Sequence, residues 1–193
     1  MIAEELTSYL ARAAHGDEDA CRWLYAQFNP RVFRLALGLL GDAADAEEAT
    51  QDTFVYAFRN LSRFDPARAQ FGTWLFTIAL SRARNKRRRK WLATIPLYLW
   101  DERNDSGRRR AEREVEIAFA ARGIRREVWA AVESLSPKLR DAVVLRYFGE
   151  LSYAEIGAAI GASPKTAESR VRLGLRAMRE RLARLELELE WNL

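Results

Sequence analysis

Between Gly16 and Gly41 the apolar positions Ala20, Trp23, Leu24, Phe28, Val32, Leu35, Ala36, Leu39 and Leu40 recur every three or four residues, which places them on one face of an α-helix. Asp17 can cap the start of that helix and Gly41 can stop it, while Pro30 leaves open whether it runs unbroken. A second helix is predicted from about Ala43 to Leu61, with Phe54, Val55, Phe58 and Leu61 on its apolar side. Phe64-Asp-Pro-Ala then reads as a turn. A third helix begins near Phe71 or Gly72, runs through Trp74, Leu75, Ile78 and Ala79, and passes into the basic sequence Arg82 to Lys90. Three helices with a shared apolar side make one domain over residues 1–90, and no strand-like alternation competes with that reading.

Residues 91–123 lose this regularity. Pro96 and the polar cluster from Asp101 to Arg110 suit a solvated linker, although the part after Ala111 can extend the next helical unit. Helical spacing returns over residues 124–193, at Val128, Trp129, Val132 and Leu135. Ser136-Pro137 reads as a helix start with serine as cap, and Leu139, Val143, Val144, Tyr147 and Phe148 carry that helix to Gly149. Ser152 and Glu155 have the spacing of a capping box, Ile156 and Ile160 form the buried side of a short helix, and Gly161 ends it. Ser163-Pro164 starts another helix at once. The fold expected is all-α: two small helical domains joined by a connector, the second containing a helix-turn-helix. The strict Leu/Glu alternation of residues 185–190 would suit a strand, but the helix propensity of both residue types favours continued helix.

Composition narrows the chemistry. The single cysteine, Cys21, and the single histidine, His15, rule out an intrachain disulfide and a cysteine-rich zinc site. Neither GxGxxG nor GxxxxGK[ST] occurs, and no cofactor is expected. No export signal or membrane-length apolar run is visible, so a cytoplasmic protein is the expectation. The net charge of +5 conceals a division: residues 1–52 hold ten acidic and four basic side chains, residues 53–90 one acidic and ten basic.

Seven cations among residues 82–90 follow Phe71, Trp74 and Phe76, a combination that suits single-stranded nucleic acid because cations follow the backbone while rings receive bases. The competing reading makes the rings core and the cations an exposed basic tail. Lys165, Thr166, Glu168, Ser169 and Arg172 lie near the front of the last helix, where a helix-turn-helix meets a major groove; ordinary helix packing would need similar caps. Arg172, Arg176 and Arg179 form one line along that helix. Asp45, Glu47, Glu48 and Asp52 fit a charged docking surface or simple solvation, and a metal-dependent hydrolase using Asp45, Glu48 and Asp52 is a third alternative.

Two motifs in order, Asp45-Ala-Glu-Glu-Ala-Thr-Gln-Asp-Thr-Phe54 with Phe71-Gly-Thr-Trp-Leu-Phe-Thr-Ile-Ala79, then Leu151-Ser-Tyr-Ala-Glu-Ile-Gly157 through Ser169-Arg170, resemble the extracytoplasmic-function group of bacterial RNA polymerase sigma factors. The resemblance implies a non-enzymatic initiation factor that binds core polymerase, melts the downstream promoter element and reads the upstream one as duplex. It assigns Asp45, Glu48, Gln51, Asp52 and Phe54 to the polymerase clamp, and Ser81, Arg82, Arg84, Asn85 and Lys86 to the downstream element and melting. Lys165, Thr166, Glu168, Ser169, Arg170 and Arg172 fall to upstream DNA, and an anti-sigma protein becomes a candidate partner. Ser81 and Asn85 stand where such proteins often carry asparagine and aspartate, and Glu168 where a cation is common. The alternative reading is a stand-alone helix-turn-helix regulator whose first domain oligomerises.

Overall fold

The computed structural model describes residues 2–93 and 126–191, and every regular element among them is helical. The first unit opens with a helix that the sequence pattern did not single out, α1 (Ile2–Ala14). It is held by Tyr9, whose ring stacks on Trp23 at 4.1 Å between centroids, and by Arg12 bonded to Asp17 at 2.8 Å. His15 sits exposed at its end, with Nδ1 2.8 Å from the Ala11 carbonyl.

The next helix, α2 (Glu18–Leu40), starts as its sequence predicts: the Asp17 carboxylate accepts from the N–H groups of Asp19 and Ala20. It ends at Gly41, which takes the left-handed conformation at φ 68°. The helix continues through Pro30, since the fully buried Leu24, Val32 and Leu35 on either side anchor it to the core. It is followed by α3 (Ala43–Arg59), capped by Asp42, a 3-10 turn at Leu61–Arg63, and α4 (Phe71–Ala93). Phe71, Leu75, Phe76 and Leu80 turn the start of α4 inward. Each such large apolar side chain contributes roughly 1.5–3 kcal/mol on burial.

Most of the proposed connector, residues 94–123, lies outside the described residues; residues 91–93 extend α4. The second unit comprises α5 (Arg126–Glu133), α6 (Pro137–Tyr147), α7 (Tyr153–Ile160) and α8 (Pro164–Trp191). Pro137 occupies the first turn of α6 as predicted, but Ser136 makes no side-chain cap bond. The α5–α6 junction is instead tied by buried Arg140, whose guanidinium donates to the carbonyls of Val132, Glu133 and Leu135 at the end of α5. The backbone of α8 stays helical through the Leu/Glu alternation.

The two units lie against each other. On α2, a Cβ on Gly38 would sit 2.8 Å from Val144 Cγ1, so α2 and α6 approach this closely only because that position has no side chain. At the other contact, α4 and α7 meet through Thr73 Oγ1, which donates to Glu155 Oε1 at 2.7 Å. The apolar core runs without interruption from Leu35 and Phe76 to Val144 and Ile156.

Candidate nucleic-acid interface

The helix-turn-helix is built from short-range bonds that the sequence spells out. Ser152 Oγ accepts from the Glu155 N–H at 3.3 Å, while Glu155 Oε2 accepts from the Ser152 N–H at 2.9 Å and its hydroxyl at 2.7 Å. Desolvation would push the Glu155 carboxyl up, but the donors from Ser152 and Thr73 outweigh it and hold the group below its ordinary value. A Cβ on Gly157 would lie 2.6 Å from the Ala162 carbonyl oxygen, so glycine lets the turn fold back against α7. Gly161, at φ 66°, then redirects the chain into α8.

On α8 the buried Ala167, Val171 and Gly174 define the inner face. Lys165, Glu168 and Arg172 are exposed, three and four residues apart, and form the outward face of the first two turns. Ser169 and Arg170 are half-buried beside it. Thr166 is occupied locally: its N–H donates to Ser163 Oγ at 3.1 Å, and the two hydroxyls lie 2.9 Å apart. The arginine line is divided as well, because Arg176 bonds Glu180 at 2.9 Å.

In the first unit the aromatic run proves to be core. Phe71 and Phe76 are buried, and Trp74 packs half-buried against Phe64 and Phe71 at centroid separations of 5.5 and 5.8 Å. Among the described residues of its basic stretch, α4 shows Ser81, Arg84, Asn85, Arg88 and Arg89 to solvent. Arg82 is half-buried, with its guanidinium 4.7 Å above the Tyr56 ring. Lys86 turns the other way, toward α3, where it bonds Asp45 at 3.2 Å and also Glu48. Partial burial would lower the Lys86 ammonium, but the two carboxylates prevail and raise it above its ordinary value.

On α3, Glu48, Gln51 and Asp52 are exposed, Asp45 is half-buried, and Phe54 is 2% exposed and belongs to the core. Sequence periodicity missed Val55, which is 50% exposed and lies one turn beyond Gln51 and Asp52. Grouping it with the apolar side concealed that α3 exposes an apolar side chain at the edge of its acidic positions, between Asp52 and Arg59. Among the described residues no cluster of three metal-ligating side chains occurs, and Asp45 and Glu48 already share the Lys86 ammonium.

The first unit matches the model of Sigma-70 region 2 over residues 24–93, and the second matches that of Sigma-70 region 4 over residues 125–178. The ECF RNA polymerase sigma factor SigE of Mycolicibacterium smegmatis is 34% identical over 185 residues, covering 94% of this chain and 70% of that protein. SigK of Mycolicibacterium vanbaalenii is 29% identical, covering 93% and 90%. The structure of CnrH in complex with the cytosolic domain of CnrY superposes at a TM-score of 0.65 with 24% identity, covering 91% of this chain and 95% of the other. Sigma factor RpoE of Bartonella quintana, solved with the anti-sigma factor NepR, gives a TM-score of 0.60 and 20% identity, covering 84% and 96%. The cytoplasmic assignment drawn from sequence is withdrawn: CnrH was solved with the cytosolic domain of CnrY, and none of these likenesses supports a cytoplasmic description of this chain. Among the described residues no helix is long and apolar enough to cross a membrane.

Proposed function

We propose, for a chain that belongs to the extracytoplasmic-function RNA polymerase sigma factors of the sigma-70 family, a promoter-selecting role in which each unit handles a different form of DNA. Sigma factors are non-catalytic regulatory proteins, so the carboxylates of α3 serve binding and not bond cleavage. In this reading α3 docks on the clamp of core polymerase through Glu48, Gln51, Asp52 and the apolar Val55, with Asp45 and Phe54 behind them. Ser81, Arg82, Arg84 and Asn85 on α4 engage the melted downstream element. Because the aromatic rings are core, capture of the strand rests on cations and polar groups more than on base stacking. The N-terminal turns of α8 enter the major groove of the upstream element, with Lys165, Glu168 and Arg172 foremost and Thr166, Ser169 and Arg170 supporting them.

The observation that carries this reading is the pairing, in one chain, of an outward-facing helix-turn-helix front on α8 with a run of exposed cations on α4 beside an acidic α3. An anti-sigma protein as a partner is supported by the RpoE–NepR complex. The test is transcription from genomic DNA by purified core polymerase with and without the chain, followed by start-site mapping. Discrete starts that depend on the chain are the expected result. A chain that binds duplex DNA but neither associates with core polymerase nor directs starts is a stand-alone regulator instead.

A further inference from the structure

Several carboxylates of the chain have a cation bound to them. Asp141 on α6 accepts from Arg84 Nε at 2.9 Å, Asp45 lies 3.2 Å from the Lys86 ammonium, and on α8 itself Arg176 donates to Glu180 at 2.9 Å. Glu168 is placed to do the same and does not. Lys165 stands three residues before it and Arg172 four after it, spacings at which side chains on a helix meet, and an acid four residues ahead of a cation is the favourable order. Yet Lys165, Glu168 and Arg172 are all exposed, and none of them makes a hydrogen bond or ion pair among the described residues. Three open charges thus follow one another along about 10 Å of α8, the length of roughly three base-pair steps.

A carboxylate on that stretch opposes DNA binding in general. Duplex DNA carries a phosphate charge for about every 1.7 Å of its axis, so the backbone of any sequence repels Glu168, and entry into the groove strips the carboxylate of water. Only a donor on a base edge offsets that loss. In the major groove guanine presents N7 and O6 and thymine presents O4, all of them acceptors; the donors are N4 of cytosine and N6 of adenine. Adenine sets its N7 acceptor beside the amino group, which suits an amide with both a donor and an acceptor, whereas a carboxylate has acceptors alone. Cytosine N4 is the base-edge donor that Glu168 matches.

We propose that Glu168 is a specificity-determining residue for the upstream element, where its carboxylate accepts from the N4 amino group of one cytosine and rejects the other three bases at that position. The inference rests on the sigma-factor reading above. It divides the work among the charges of α8: Lys165 and Arg172 carry donors alone and suit guanine or phosphate on either side, while Glu168 demands a cytosine between them. Because the same carboxylate repels every duplex that lacks the cytosine, selectivity comes from repulsion as much as from the bond.

The test measures binding of reconstituted holoenzyme to a promoter library varied only in the upstream element, for the parent, Glu168→Gln and Glu168→Ala. The parent is expected to prefer cytosine at one position by roughly tenfold over each other base. Glu168→Gln keeps the side-chain shape and should move the preference at that position alone to adenine. Glu168→Ala should abolish the preference there and tighten binding to the sequences that the parent rejects. In the preferred site, a cytosine analogue with hydrogen in place of the N4 amino group should weaken the parent by the same roughly tenfold and leave Glu168→Ala unaffected, a difference that a bulk-charge role would not produce. Thermal melting followed by circular dichroism checks that both variants fold, and their exposed, unbonded position predicts midpoints equal to the parent's. Folded variants with an unchanged ranking, or with a uniform gain across all sequences, overturn the assignment. A parent holoenzyme that starts no transcription overturns the sigma-factor reading instead, and the same library bound by the free chain then still decides what Glu168 selects.

Discussion

Asp52, Lys86 and Thr166 separate what charge does from where it lies. Asp52 is exposed on α3, so Asp52→Arg should weaken association with core polymerase by roughly 1–3 kcal/mol if the contact is desolvated, with folding unchanged. Competition against the parent for core polymerase measures this, and equal affinity removes Asp52 from the interface. Glu48→Arg is a harsher change, because it also sets a second cation against Lys86. The density of cations in the sequence suggests that Lys86 touches DNA, whereas its ammonium faces Asp45 and Glu48. Lys86→Ala is therefore expected to lower core affinity while leaving the permanganate reactivity of melted promoter bases intact in saturated holoenzyme, and Arg82→Ala to do the reverse. On α8, the Thr166 hydroxyl is engaged with the Ser163 hydroxyl, while the cap bond comes from the Thr166 N–H and survives truncation, so Thr166→Ala should cost about 0.5–1 kcal/mol for the lost hydroxyl contact and weaken all upstream sequences alike. Arg172→Ala, altering an exposed side chain of the outward face, should instead change the ranking of sequences in a library varied only at the upstream element. A changed ranking with Thr166→Ala would mean that its hydroxyl leaves Ser163 to read a base.

At the scale of single elements, the capping box gives α7 a pH dependence whose sign follows from Glu155. Its folded carboxyl lies below its ordinary value, so the stability it contributes is present above that value and is lost as pH falls through the folded one. Thermal denaturation between neutral pH and the acid range should show a component that Glu155→Gln removes; an identical acid response in the variant would discount the box. The box itself, the Asp17 and Gly41 caps of α2, and the Gly161 turn were all legible from residue spacing, because caps are local and side-chain chemistry dictates them. The reach of Arg140 to the carbonyls of Val132 and Glu133 at the end of α5 and of Leu135 just beyond it was not legible, since it depends on how α6 crosses the end of α5. Nor was α1, whose hold on the molecule is a tertiary stack between Tyr9 and Trp23. Periodicity told which residues of α3 and α4 are apolar, but not that Val55 faces out or that Phe71 and Phe76 are wholly enclosed. Those outcomes depend on which neighbouring helix covers each face.

For the whole molecule, the contact between units was the part least accessible to sequence, because Val144 and Phe148 satisfy the core pattern of their own unit equally well. Arg84 and Asp141 stand 57 residues apart, with no local signal that links them. Yet the contact determines how the chain unfolds. A core continuous from Leu35 and Phe76 to Val144 and Ile156 should melt in one cooperative transition, where two independent domains would give two. Gly38→Leu tests this at a single position. Its Cβ alone would already lie 2.8 Å from Val144 Cγ1 and 3.0 Å from Phe148 Cγ, so α2 and α6 must move apart to admit the rest of the side chain. The same substitution favours α2 itself by roughly 1 kcal/mol, since glycine is a poor interior helix residue, and the damage is thereby confined to the contact. Calorimetry should show the single transition of the parent resolve into two, with helicity at low temperature preserved. A single transition merely shifted downward would mean that the units remain one cooperative body through α4 and α7, where Thr73 and Glu155 would then be the stronger connection.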